Sequence, residues 1–124
     1  MDSVVHFEIP AKDPARASEF YKKAFGWEFS QYPGWEYWMI TTTKVDKKGT
    51  PTVPGSINGG MGKKGGSLKV PSVTIMVSDI DEALKTVKKL GGEVVAKKSP
   101  VGDMGFTAYF EDTEGNVIGL FETA

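Results

Sequence analysis

Three observations predict an α+β fold built from two βαβββ modules: an internal repeat, period-two alternation in the strand that opens each copy, and a capped amphipathic helix behind it. Shifting the chain by 66 residues lays Ile9 on Ile75, Asp13 on Asp79, Ala17 on Ala83, Lys22 and Lys23 on Lys88 and Lys89, and Gly26 on Gly92. Six identities in these 18 ungapped positions exceed the roughly one or two that ordinary amino-acid usage gives. The same shift carries Thr41 to Thr107 and Gly49 to Gly115. The 124 residues suit one domain. They divide into a first module over about 1–62, a linker over about 63–69 and a second module over about 70–124.

The first copy opens on a strand, because Val5, Phe7 and Ile9 alternate with His6 and Glu8 over Val4 to Pro10. Asp13 stands where an N-cap belongs and Pro14 at the first helical position. Ala17, Phe20, Tyr21 and Ala24 form the apolar stripe, and Gly26 marks the stop. Three extended stretches follow at Trp27 to Gln31, Trp35 to Thr43 and Ser56 to Met61, the last beyond a turn-rich segment from Asp46 to Gly55. Lys63 to Lys69, rich in Gly and Lys, reads as a flexible solvated connection. It leads into a strand, whereas a phosphate-binding loop should lead into a helix.

In the second copy Val73, Ile75 and Val77 alternate with Ser72, Thr74 and Met76. Asp79 and Glu82 stand at capping-box spacing before Ala83, Leu84, Val87 and Leu90, and Gly91 and Gly92 close the helix. Glu93 to Lys97, Phe106 to Glu111 and Asn116 to Glu122 are the three closing strands.

Composition removes several classes of function. Fifteen basic residues against 16 acidic ones leave a formal charge of −1, and Arg16 is the one arginine. A nucleic-acid or anionic-membrane binder needs a basic excess, and none exists here. With no cysteine, disulfides, thiolate metal sites and a thiol nucleophile are excluded. The N-terminal residues lack the basic start and apolar run of a signal peptide, and no apolar run is long enough to span a bilayer. A cytoplasmic location is the expectation.

The amphipathic helix should cover the apolar face of each opening strand, since burying a side chain such as Phe7 or Ile75 stabilises by about 1.5–3 kcal/mol. That leaves His6, Glu8, Ser72, Thr74 and Met76 on the other face. In the last strand Ile118 and Leu120 match the covered face, and Val117, Gly119 and Phe121 the open one. A cup-shaped, mixed but mostly antiparallel sheet with its helices outside, polar and aromatic within, is a small-molecule site. Trp35 and Tyr37 are the aromatic side chains expected to line it. Glu8, a carboxylate in such a cup, suits a general base or a partner for a cationic ligand, with a rim residue bonded to lysine or water as the alternative. His6 is a ligand-facing imidazole or a hydrogen-bonded structural residue.

His6-Phe7-Glu8-Ile9-Pro10, Asp13-Pro14-Ala15-Arg16-Ala17, Phe20-Tyr21, Phe25-Gly26-Trp27 and Val77-Ser78-Asp79-Ile80-Asp81-Glu82-Ala83 together resemble the vicinal oxygen chelate superfamily. This superfamily includes glyoxalase I, extradiol dioxygenases, and fosfomycin- and bleomycin-resistance proteins. The turn Asp112-Thr113-Glu114-Gly115-Asn116 looks like the family's Asp-Pro-x-Gly-Asn, with Thr113 in place of Pro. The opening phrase resembles a subgroup described only as glyoxalase-related.

The resemblance implies paired modules, a homodimer, and a divalent metal held by His, Glu or Gln from four strands. His6, seven residues before Asp13, matches the first ligand position. Ser72 stands at the position of a second His, Gly119 at that of the last-strand Glu, and Asn58 is the best candidate for the fourth. One good ligand of four is left, so the expectation is no metal and no other cofactor. The reading that follows is a bleomycin-resistance-like protein binding a small organic molecule through Asn58, Ser72, Thr74, Met76, Gly119, Phe121, Trp35 and Tyr37. The alternative is a glyoxalase-like lyase, isomerase or epimerase with Glu8 as base and His6 polarising the oxygen, in which nickel or zinc could take part.

Overall fold

The computed structural model describes residues 1–124. Both copies of the repeat take the strand, helix and three-strand order, giving eight strands and two helices in an α+β chain. The chain separates into two compact units, His6–Pro71 and Ser72–Ala124, with Met1–Val5 grouped with the second.

In the first unit β1 (Val4–Ala11) leads to α1 (Pro14–Phe25), β2 (Glu28–Gln31), β3 (Tyr37–Thr41) and β4 (Asn58–Lys63). The Asp13 carboxylate accepts the Arg16 N–H at 3.1 Å and Pro14 occupies the first turn, which starts the helix. Gly26 at φ 74° ends it, its N–H returning to the Lys22 carbonyl at 2.9 Å. The strands run β2-β3-β4-β1, with β1 and β4 parallel and the other pairs antiparallel. One face packs Ala11, Ile40 and Met61 with Phe7, Ile9, Ala17, Trp27, Phe29 and Trp38. No residue of α1 is fully buried. The helix is tied down through Tyr21, stacked 4.9 Å from the Trp27 ring, which in turn lies 5.7 Å from Phe7.

In the second unit β5 (Ser72–Met76) leads to α2 (Ile80–Lys89), β6 (Glu93–Val101), β7 (Gly105–Glu111) and β8 (Val117–Thr123). Asp79 accepts the Glu82 N–H at 3.1 Å, as the capping spacing requires. The order is β5-β8-β7-β6, with β5 and β8 parallel and the remaining pairs antiparallel. Val77, Ile80, Leu84, Ala108 and Leu120 form its core. The carboxylate of Glu122 accepts the Ile80 N–H at 2.8 Å and the Lys98 ammonium at 3.2 Å, fixing the start of α2 to β8.

Three features differ from the sequence reading. Strand β6 runs on to Val101, past the expected Lys97, by taking register shifts between Val94 and Ala96 and between Ala96 and Ser99. It accommodates Pro100 because it ends the strand order and has an open edge. The connection at 63–69 contains a hydrogen-bonded turn that composition did not reveal: Gly65 and Leu68 exchange two backbone hydrogen bonds of 2.9 Å each. Strand β4 lies two residues later than the expected Ser56 to Met61.

Candidate functional site

In the first unit the register puts a titratable chain on the face away from α1. Parallel pairing sets His6 beside Asn58 and Glu8 beside Gly60, and antiparallel pairing sets Met39 beside Gly60 and Tyr37 beside Gly62. His6, Glu8, Tyr37, Met39, Asn58, Gly60 and Gly62 therefore share one side of the sheet.

Two adjacent glycines clear space on opposite sides of β4. A Cβ at Gly59 would lie 2.5 Å from the Phe7 ring, on the helix side. A Cβ at Gly60 would occupy the position of the Tyr37 hydroxyl, on the polar side. Gly60 thus lets the phenol cross the strand and reach Glu8. This role went unread in the sequence, although a Gly-Gly pair inside an extended stretch is a sign of close approach by a neighbour.

The Tyr37 hydroxyl donates to Glu8 Oε2 at 2.8 Å and lies 3.0 Å from His6 Nε2. Glu8 is only 6% exposed, while His6 and Tyr37 are half-buried. A phenol has one proton, and a carboxylate only accepts. With that proton given to Glu8, the phenol oxygen accepts from His6, so Nε2 carries the imidazole hydrogen. Burial pushes the His6 pKa below the ordinary imidazole value, against the opposing pull of the Glu8 charge. The ring is neutral at physiological pH, and its Nδ1 is an acceptor.

The other expected residues divide cleanly. Asn58 lies on the same face as His6, but its Oδ1 accepts the N–H groups of Thr42 at 2.7 Å and Thr43 at 3.2 Å, which ties the end of β3 to β4. Trp35 stands in the turn between β2 and β3, 47% exposed and packed 5.3 Å from the Tyr32 ring. In the second unit Thr74 pairs with Gly119 and Met76 with Phe121, and Tyr109 pairs with Gly119 from the other side. Ser72, on the Thr74 face, donates its hydroxyl to the Val117 carbonyl at 2.8 Å. No group of three or more His, Asp or Glu side chains is placed to hold a metal ion, and no helix is long and apolar enough to cross a membrane.

Residues 3–120 match the family model described as Glyoxalase/Bleomycin resistance protein/Dioxygenase superfamily. A glyoxylase-like domain-containing protein of Didymella fabae is 33% identical over 114 residues, covering 88% of this chain and 84% of that one. Among solved structures, a superfamily member from Vibrio splendidus superposes with a TM-score of 0.63 at 14% identity over the full length of both chains. The methylmalonyl-CoA epimerase of Mycobacterium tuberculosis does so with a TM-score of 0.64 at 18% identity, covering 98% of this chain and 87% of that one.

Proposed function

This chain belongs to the glyoxalase/bleomycin resistance protein/dioxygenase superfamily, and we propose that within it the protein binds a small organic molecule without the metal that the family's enzymes use. The observation that carries this reading is the His6–Tyr37–Glu8 chain. It supplies polar recognition from side chains, on a face that also carries Met39, Asn58, Gly60 and Gly62.

The residues at the four positions where the family places metal ligands fit a divalent ion badly. His6 turns a protonated nitrogen to Tyr37, Asn58 spends its oxygen on backbone amides, the Ser72 hydroxyl is given to a carbonyl, and Gly119 has no side chain. One imidazole nitrogen without a thiolate or a second strong donor holds a transition metal weakly. A thermal-shift screen of organic molecules with a chelator present tests the reading. A ligand should raise the melting temperature through RT ln(1 + [L]/Kd). Stabilisation that appears only with added nickel or zinc would refute metal independence.

A second reading is favoured by the burial of Glu8. A carboxylate held by a phenol in a sheltered face suits proton abstraction next to a carbonyl, which makes the protein a lyase, isomerase or epimerase of glyoxalase type. Turnover of methylglyoxal with glutathione, with and without nickel or zinc, tests it. Activity that survives Glu8→Gln unchanged removes Glu8 from the mechanism.

A further inference from the structure

The proton count of the His6–Tyr37–Glu8 chain decides which of its atoms is offered to a ligand. Glu8 Oε2 accepts the one Tyr37 proton, which leaves the phenol oxygen to accept from His6 Nε2, 3.0 Å away. The side-chain hydrogen bond of the ring runs through Nε2, which leaves the far nitrogen, His6 Nδ1, as the open acceptor. No buried side-chain nitrogen or oxygen in the structure lacks a partner, so Nδ1 is not sealed in the protein and opens outward. The charged groups on this face of the unit are Glu8 and, through the pairings of Glu28 with Thr41 and of Ser30 with Met39, Glu28 at its edge. Its strands carry no lysine or arginine on this side: Lys63 pairs with Ala11, in the alternate row on the helix side. An anionic group finds no counter-charge among the strand residues of this face.

We infer that His6 Nδ1 is the ligand-facing acceptor of this site, that Tyr37 is the positioning residue holding the ring in that tautomer, and that the site takes a neutral or cationic molecule presenting an O–H or N–H. Glu8 then acts at the far end of the chain, orienting the phenol, and does not itself meet the ligand's donor. Gly60 is part of the device, since any side chain there displaces the hydroxyl. The inference rests on the binding reading above and refines it by naming the atom and the ligand class.

His6 is the one histidine of the chain, so long-range nitrogen–proton NMR of the uniformly 15N-labelled protein reports it without ambiguity. At about pH 8, above the ordinary imidazole range, the parent should show a protonated, exchange-protected Nε2 and an unprotonated Nδ1. In Tyr37→Phe the protected Nε2–H signal should be lost to exchange with water. Gly60→Ala should lose it as well with the phenol still present, which covers the case of a Tyr37→Phe protein that does not fold. A parent with its proton on Nδ1, or a folded Tyr37→Phe protein whose Nε2–H signal is unchanged, overturns the assignment.

For the ligand class, phenol and anisole serve as paired probes differing in the one O–H. Phenol should move the Nδ1 resonance and anisole should not. Equal shifts, or none with phenol, overturn the class. These outcomes are separable from the binding reading: the expected tautomer with no organic ligand in the chelator screen leaves the tautomer assignment and removes that reading, and the wrong tautomer with a stabilising ligand does the reverse.

Discussion

Glu8 in the first module and Thr74 in the second are both buried polar residues, 6% and 7% exposed, and the 66-residue repeat lays one on the other. Each sits beside a glycine of its module's last strand, Gly60 for Glu8 and Gly119 for Thr74. Each glycine is overlain by a tyrosine, Tyr37 in one case and Tyr109 in the other. The backbone device is duplicated, and the residue beside each glycine differs. Tyr109 pairs directly with Gly119, whereas Tyr37 pairs with Gly62 and reaches across Gly60 to a carboxylate. The helices divide the other way: α2 buries Ile80 and Leu84, and α1 buries nothing completely. One copy therefore carries the His6–Tyr37–Glu8 chain, and the other has the better-anchored helix.

The largest expected effect tests that division of labour. Ile80→Ala empties a fully buried position and should cost about 2–5 kcal/mol in urea unfolding. Phe20→Ala on α1, 60% exposed, should cost under about 1 kcal/mol. Equal costs would break the contrast between the helices.

Next come the glycines, where overpacking costs about 1–3 kcal/mol. Gly119→Ala meets Thr74 Oγ1 at 2.8 Å and Tyr109 Cε1 at 3.3 Å, so it is caught between two neighbours. Gly60→Ala meets the hydroxyl end of Tyr37, a side chain that can turn aside only by giving up its hydrogen bonds to Glu8 and His6. Denaturation of the two variants should place Gly119→Ala as the more damaging, and the reverse order would show that the phenol cannot move.

Removing the tyrosine hydroxyl sharpens the contrast between the buried polar pair. Tyr37→Phe strips a hydrogen bond from a buried carboxylate and should destabilise by about 1–3 kcal/mol. Thr74→Val, nearly isosteric and at a position without a titratable partner, should cost under about 1 kcal/mol.

The smallest effect is the pH dependence of His6. Its pKa is lower in the folded protein than the ordinary value near 6.5, so below that value the unfolded chain binds more protons than the folded one. The stability tied to the neutral ring is complete above pH 6.5 or so and is lost as pH falls through the folded pKa. Subtracting the stability of His6→Gln from that of the parent across pH 5 to 8 should give a difference that falls on acidification. A difference rising on acidification contradicts a lowered pKa.

Much of this was legible in the chain. Period-two alternation placed Phe7 and Ile9 opposite His6 and Glu8, and the caps Asp13, Asp79 and Gly26 fell where side-chain chemistry demands them. These are local signals, and local physics decides them. The union of His6, Glu8 and Tyr37 is a matter of register between strands some 30 residues apart in sequence, which periodicity within one strand does not encode. Gly60 went unread because its function is to lack a side chain. Asn58 and Ser72 read as open polar groups because their partners are backbone atoms distant in sequence, the Thr42 and Thr43 amides for one and the Val117 carbonyl for the other. The shifts in β6 escaped because a bulge depends on the partner strand.

The central claim is that recognition runs through the first module's side-chain network without a metal. Calorimetric titration, in the presence of a chelator, of the best ligand from the thermal-shift screen tests it most directly on the parent, Glu8→Gln and Thr74→Val. The account predicts binding by the parent, a weakening of about tenfold or more in Glu8→Gln as the charge-assisted bond that orients Tyr37 is lost, and a smaller change in Thr74→Val. Binding that requires added nickel or zinc, or that is as tight in Glu8→Gln as in the parent, would contradict it.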